Sequence, residues 1–297
     1  MNGSETTAAT PIIVVGMNRS GTKWISNILS NHPQVVSAQY ERGDGIQETN
    51  MLGAFPRAFG DLAVPDNYVG LIEWWAQTDF FRILGIEKEH LYRLDPRPRH
   101  PYDLFCCVME EYARRKGGRF WLQKTSPHRG ATCRAHYPEA HLVVIERDVV
   151  ATLRSAIRLR MRRSGGRRAI LREVVSFVHQ EKLLGRLRGK PRVVELTYEA
   201  LLADASAESR RVCAALGLPY EPGMIEIPFR PNTSFRSAGE RDATLTPAME
   251  RGIRVLRRLL GLLPVAFFGL LQRLRGRRYP GLVPGTHGMI KDDYRLD

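Results

Sequence analysis

Two groups of residues could do chemistry, and each lies where an apolar run gives way to a helical pattern. The first is Gly16-Met17-Asn18-Arg19-Ser20-Gly21-Thr22-Lys23-Trp24, preceded by Ile12, Ile13, Val14 and Val15. A glycine-rich turn ahead of a helix presents backbone N–H groups at the positive end of the helix dipole, a ready site for phosphate or sulfate. Arg19 adds a planar guanidinium, and Ser20, Thr22 and Lys23 add donors that suit a phosphosulfate held without metal. The second group is Arg147, which follows the run His141 to Glu146, and Ser155, eight residues further on. An arginine at a strand end and a serine two helical turns later can converge on one dianion.

The frame GxxxxG is that of a nucleoside-triphosphate loop, but Thr22-Lys23 follows where such a loop has Lys-Ser/Thr. The positions of the phosphate-binding lysine and the Mg²⁺-binding hydroxyl are exchanged, which favours a metal-free anion. A P-loop kinase-like phosphotransferase is the alternative; it would need magnesium and would use Asp148 as its acidic residue after an apolar strand. Nucleic-acid binding by the arginine runs at 158–168, 186–192 and 251–278 leaves both anion motifs unexplained, so no nucleic acid is expected as partner.

Taken together, GMNRSGTKW and VVIERDVVATLRSAIR resemble the two donor-binding motifs of the sulfotransferases that use 3'-phosphoadenosine 5'-phosphosulfate (PAPS). The resemblance implies a donor site built from Arg19, Ser20, Gly21, Thr22, Lys23 and Trp24, with Arg147 and Ser155 on the 3'-phosphate. Val149 stands where the family usually has Pro or Gly, a departure that removes no phosphate ligand. WLQKTSPHR, YPEAHLVVIERD and LTYEALLAD resemble further family segments in the same order. Carried over, Lys124 bridges to the transferring group and Tyr198 lies by the adenine; Ser237 in RSAGER is a fainter match. The similarity runs, with gaps, from about residue 11 to about residue 217.

The implied reaction moves a sulfuryl group from PAPS to a hydroxyl or amine acceptor and leaves 3'-phosphoadenosine 5'-phosphate (PAP), with no metal. In-line displacement needs cations on the bridging and equatorial oxygens and one base for the acceptor proton. Arg19 and Lys124 are the candidates for charge stabilisation, with Lys23 a further one. Related enzymes of the tyrosylprotein type place a Glu shortly after a His-Pro pair, which makes Glu41, nine residues after His32, the nearest match for the base. Asp44, Glu48 and His128 remain open, as does His100. The acceptor is an alcohol on a small metabolite, a glycan, a lipid or a protein tyrosine.

To position these residues the chain needs strands alternating with helices: an α/β, P-loop-containing fold with a central, largely parallel sheet flanked by helices. Strands are expected at residues 12–15, 119–123, 141–146 and 192–196. Helices are expected at 22–30, 102–116, 131–137, 149–163, 168–188 and 198–217. Residues 41–101 mix Gly, Pro and aromatics and predict short helices and loops over the sheet. Residues 1–10 read as a disordered N-terminus, 11–246 as the catalytic domain, and 247–297 as a helical extension packed on that domain.

The chain of 297 residues carries 45 Lys and Arg against 31 Asp and Glu, a net charge of +14, which attracts anions without choosing among them. Cys106, Cys107, Cys133 and Cys213 match no metal spacing and are expected as free thiols. The polar start MNGSETTAATP has neither a basic region nor an apolar run, which argues for a cytoplasmic location. Arginines flank the apolar stretch Leu259 to Leu271, whose 13 residues include Pro264 and fall short of the roughly 20 that span a bilayer. Such a helix suits packing on the sheet or against a homodimer partner, and it is compatible with peripheral membrane contact.

Overall fold

Side chains from the unbroken Ile-Val run leave the sheet in alternation: Ile13 and Val15 join one core, Ile12 and Val14 the other, and all four are fully buried. A strand apolar on both sides must lie centrally between two helical layers, and it does. The computed structural model describes residues 8–40, 45–53, 55–161, 167–226 and 246–274.

The central strand is β1 (Thr10–Gly16), followed by α1 (Thr22–Ser30) and β2 (Val35–Val36). After a 3₁₀ turn at Asn50–Leu52 come the short helices α2 (Phe55–Ala58), α3 (Pro65–Trp75), α4 (Asp79–Leu84) and α5 (Lys88–Tyr92). Next are α6 (Pro101–Lys116), β3 (Phe120–Thr125), α7 (Pro127–His136), β4 (His141–Glu146), α8 (Val149–Met161) and α9 (Arg167–Gly185). The chain continues with β5 (Val193–Thr197), α10 (Tyr198–Ala203), α11 (Ala205–Leu216), α12 (Gly223–Glu226), α13 (Pro247–Gly261) and α14 (Val265–Leu274). The strand order is β2-β3-β1-β4-β5 and every neighbouring pair is parallel.

Among the boundaries that differ from the sequence expectation, three have a clear local cause. β3 runs on through Lys124 and Thr125, because these pair with Val14 and Val15 of β1. α7 begins at Pro127, whose fixed φ and missing N–H suit the first turn of a helix. The expected helix over 198–217 is two helices: Asp204 adopts φ −152° and ψ 92°, and its carboxylate accepts from Ala207 N at 2.9 Å to start α11.

In this topology the carboxyl ends of β3, β1 and β4 open onto one crevice, because the chain places β2 and β3 on one side of β1 and β4 and β5 on the other. In open α/β sheets that switch point is where ligands bind. On the side away from α1, the helices α13 and α14 lie against α9, with Ile253 and Phe268 buried. Arg257 is ion-paired with Glu181, Arg154 with Glu250, and Lys182 Nζ donates to Gly261 O at 2.7 Å. No helix among the described residues is long and apolar enough to cross a membrane.

Candidate active site

β1 ends at Gly16 and the chain turns back on itself before α1. Ser20, fully buried, donates to Met17 O from both its N (3.0 Å) and its Oγ (2.8 Å). The turn requires a left-handed backbone at Arg19 (φ 74°) and Gly21 (φ 99°). A Cβ on Gly21 would lie 2.6 Å from Tyr198 Cδ2, and one on Gly16 would lie 2.7 Å from Ser20 Oγ and 2.8 Å from Ile145 O. Both glycines are therefore dictated by close approach. α1 has no side-chain N-cap and no acidic residue in its first turn, so its positive end is left to an external anion.

Around this loop the second motif closes. Arg147 Nη1 donates to Arg19 O at 3.2 Å, and Arg19 Nε donates to Ser155 Oγ at 3.0 Å. The Arg147 guanidinium lies 4.2 Å from the centre of the Tyr198 ring, and Tyr198 meets Trp24 edge-on at 5.6 Å. Arg147 Nε is buried with no hydrogen-bond partner among the described residues. Burial, and then the charge of Arg147, pull Arg19 below its usual pKa. Two adjacent guanidiniums, one with a buried donor unsatisfied, make a site that an anion would relieve. Asp148, by contrast, is engaged: its Oδ1 accepts from Ala151 N at 2.9 Å at the start of α8, and its N donates to Glu199 Oε1 at 3.0 Å.

A second charged group gathers Lys23, Lys124 and Glu48. Lys124, on β3, exposes only 7% of its side chain and is ion-paired with Glu48. Glu48 is held from both sides, because Gln47 N donates to Ala38 O at 2.8 Å and Thr49 Oγ1 accepts from Met51 N at 3.1 Å. The turn that follows is tied to α6 by Tyr102 Oη, which donates to Leu52 O at 3.1 Å. The Lys23 amine is pulled below its usual pKa by burial first and then by Lys124 and Arg19, with Glu48 opposing.

The structure thus brings Arg19, Ser20, Gly21, Thr22, Lys23, Trp24, Arg147, Ser155 and Tyr198 around one loop. The Arg19 guanidinium donates to Ser155, and Lys23 shares the surroundings of Lys124. Glu41, Asp44 and Ser237 lie outside the described residues. Two other base candidates are in packing roles. His128 packs edge-on against His179 at 4.8 Å, and His179 stacks on Phe268 at 5.4 Å. His100 accepts from Tyr102 N at 3.2 Å to cap α6 and stacks on His136 at 4.3 Å. The Lys124–Glu48 pairing joins positions 76 residues apart and has no local signal in the sequence.

Comparison with known proteins agrees with this geometry. Residues 11–222, well over half the chain, match the profile of the sulfotransferase family. Among solved structures, the sulfotransferase domain from the curacin biosynthetic pathway is 12% identical, with 82% of this chain and 83% of that chain covered and a TM-score of 0.50. A sulfotransferase from Mycobacterium tuberculosis H37Rv is 14% identical, with 82% and 76% covered and a TM-score of 0.50. The sulfotransferase domain of the Synechococcus PCC 7002 olefin synthase covers 90% of this chain and 98% of its own at 16% identity and a TM-score of 0.49. At such identities the likeness is one of fold. No curated protein matches by sequence. The profile match and the parallel sheet with its anion loop at the switch point lead to one statement: the chain belongs to the sulfotransferase family.

Proposed function

We propose that this sulfotransferase takes its sulfuryl group from PAPS and transfers it to a hydroxyl-bearing acceptor, a small metabolite, glycan or lipid, with an amine as the further option. The observation that carries the donor assignment is the convergence of Arg19, Arg147 and Ser155 beside the Trp24–Tyr198 pair at the head of α1. The buried, unpartnered Nε of Arg147 and the glycine cradle at Gly16 and Gly21 fit a nucleotide with two separate anionic ends. Arg147, Ser155 and Arg19 would hold the 3'-phosphate, the two aromatics the adenine, and the N–H groups of 20–24 with Lys23 the 5'-phosphosulfate.

PAPS, when bound, supplies a sulfuryl group whose bond to the 5'-phosphate oxygen breaks as a bond to the acceptor oxygen forms. Lys124 and Lys23 meet the negative charge that gathers on the bridging and equatorial oxygens. Glu48 takes the acceptor proton; its ion pair with Lys124 aims the side chain at the same point. We assign 11–246 as the catalytic unit, with the helices of 247–274 braced on it. Four free thiols fit a reducing compartment such as the cytoplasm. The phosphotransferase reading is disfavoured because the Asp148 carboxylate caps α8.

Calorimetric titration with PAP and with ATP, both in EDTA, tests the donor. Tight PAP binding with weak ATP binding supports it; ATP binding that appears only with magnesium, and no PAP binding, overturns it.

A further inference from the structure

Five of the ten exposed large hydrophobic side chains among the described residues lie within one elbow: Val255, Leu259 and Leu262 on and after α13, Phe267 and Leu270 on α14. Leu262, between the helices, is 82% exposed. This is not the face that packs inward. Ile253, Leu256, Leu260 and Leu263 serve the core, while Val255, Leu259 and Leu262 recur at three- and four-residue steps on another side of the helix. Arg251, Arg254 and Arg258 are exposed alongside them and make no ion pair or hydrogen bond with the described residues. The nearby acids are already engaged, Glu250 with Arg154 and Glu181 with Arg257.

We infer that the α13–α14 elbow is a docking face for an anionic lipid bilayer. Apolar side chains that project beyond flanking arginines match a membrane interface, where the former enter the acyl boundary and the latter meet phosphate headgroups. Charge argues against the other occupants. A two-fold copy of the chain would set Arg251, Arg254 and Arg258 near their own counterparts. Within the chain, residues 227–245 and 275–297 each carry more Arg and Lys than Asp and Glu, the latter adding Arg275, Arg277 and Arg278. By net charge, neither segment complements the three arginines. The opposite end of α13 reaches α8: Glu250 holds Arg154, the residue before Ser155.

Co-sedimentation of the full chain with phosphatidylcholine vesicles, with and without phosphatidylglycerol, tests this. Binding is expected only with phosphatidylglycerol and should weaken as salt rises. Leu259→Ser with Leu262→Ser, which leaves the charge intact, should weaken it about tenfold, and Arg251→Gln with Arg254→Gln and Arg258→Gln about 100-fold. Both variants should keep wild-type melting and PAP affinity. Three results would overturn the inference: no binding by the wild type, serine variants that bind as well as the wild type, or light scattering that shows a dimer dissociated by Leu262→Ser. The second would mark diffuse attraction by a basic protein, the third an interface between copies.

Discussion

Arg19 and Ser155, 136 residues apart, share a 3.0 Å hydrogen bond, and through it the two anion-binding motifs become one site. The phosphate loop thereby reaches across to α8, and Arg147 closes the arrangement by donating to the Arg19 carbonyl.

Arg147→Ala should therefore do more than remove one charge. It deletes the contact with Tyr198 and leaves the Arg19 carbonyl without its donor. Charged hydrogen bonds to a phosphate are worth about 1.5–3 kcal/mol each, so PAP affinity should fall about 100-fold or more by calorimetric titration. Arg147→Lys should recover little of this, because a point charge cannot reproduce both contacts. An affinity within a few-fold of wild type would refute the assignment.

Two glycines with left-handed backbones should respond differently to alanine. Gly21 (φ 99°) has Tyr198 at 2.6 Å from a notional Cβ, while Gly217 (φ 70°) has nothing within 4 Å. Gly217→Ala should cost about 1 kcal/mol in denaturant unfolding, the strain of the left-handed region alone, and leave PAP binding unchanged. Gly21→Ala adds the displacement of Tyr198 and should also weaken PAP at least about tenfold by losing the aromatic pair.

Binding of PAP should take up protons at alkaline pH. Burial and the neighbouring cations favour neutral Lys23, so its folded pKa lies below that of the unfolded chain. Protonated Lys23 then opposes folding below its folded pKa, and this penalty fades as pH rises toward the unfolded value. A bound anion acts the other way and restores the proton. Calorimetry in two buffers of different ionisation enthalpy should reveal the uptake, PAP affinity should decline as pH rises through the free-state pKa, and Lys23→Met should abolish both effects.

Glu48→Gln should separate chemistry from donor binding. With an alcohol or phenol that supports turnover, PAP release should slow about 10²–10⁴-fold while PAP affinity changes little. Lys124→Met should also slow turnover, since Glu48 then loses the partner that fixes it. If Glu48→Gln turns over at the wild-type rate, the base lies elsewhere, and Glu41 becomes the residue to replace.

The helices at 247–274 should contribute to the stability of the domain. Phe268 is buried against His179, so Phe268→Ala should cost about 3 kcal/mol or more. Leu262→Ala should be near neutral. Single, cooperative melting in both variants is the expected behaviour; a separate early transition in Phe268→Ala would mean that the elbow folds independently.

The positions read most directly from the sequence were those with a local cause. Ile12 to Val15 and Leu142 to Ile145 had to be buried strands because they are apolar without alternation, and they form β1 and β4, which pair with each other. The glycine loop, Arg147 and Ser155 were visible because the loop and Arg147 follow strand ends and Ser155 lies at a fixed spacing along the next helix. The break at Asp204 and the start of α7 at Pro127 carry local signals that apolar periodicity does not register, an aspartate N-cap in the first case and a first-turn proline in the second. Spacing makes Glu41 the nearest match for the base with Asp44 and Glu48 as alternatives; of the three, Glu48 lies among the described residues, where it pairs with Lys124.

Local pattern thus determined the parallel α/β architecture, the glycine loop and the spacing of the two candidate donor motifs, since burial periodicity and turn geometry act over a few residues. Tertiary structure decided what each cation faces. It turned Arg19 to Ser155, set Lys23 beside Lys124, and paired Lys124 with Glu48. Those choices depend on which strand ends become neighbours, and strand pairing is a long-range outcome of burying both faces of β1, which no residue specifies alone.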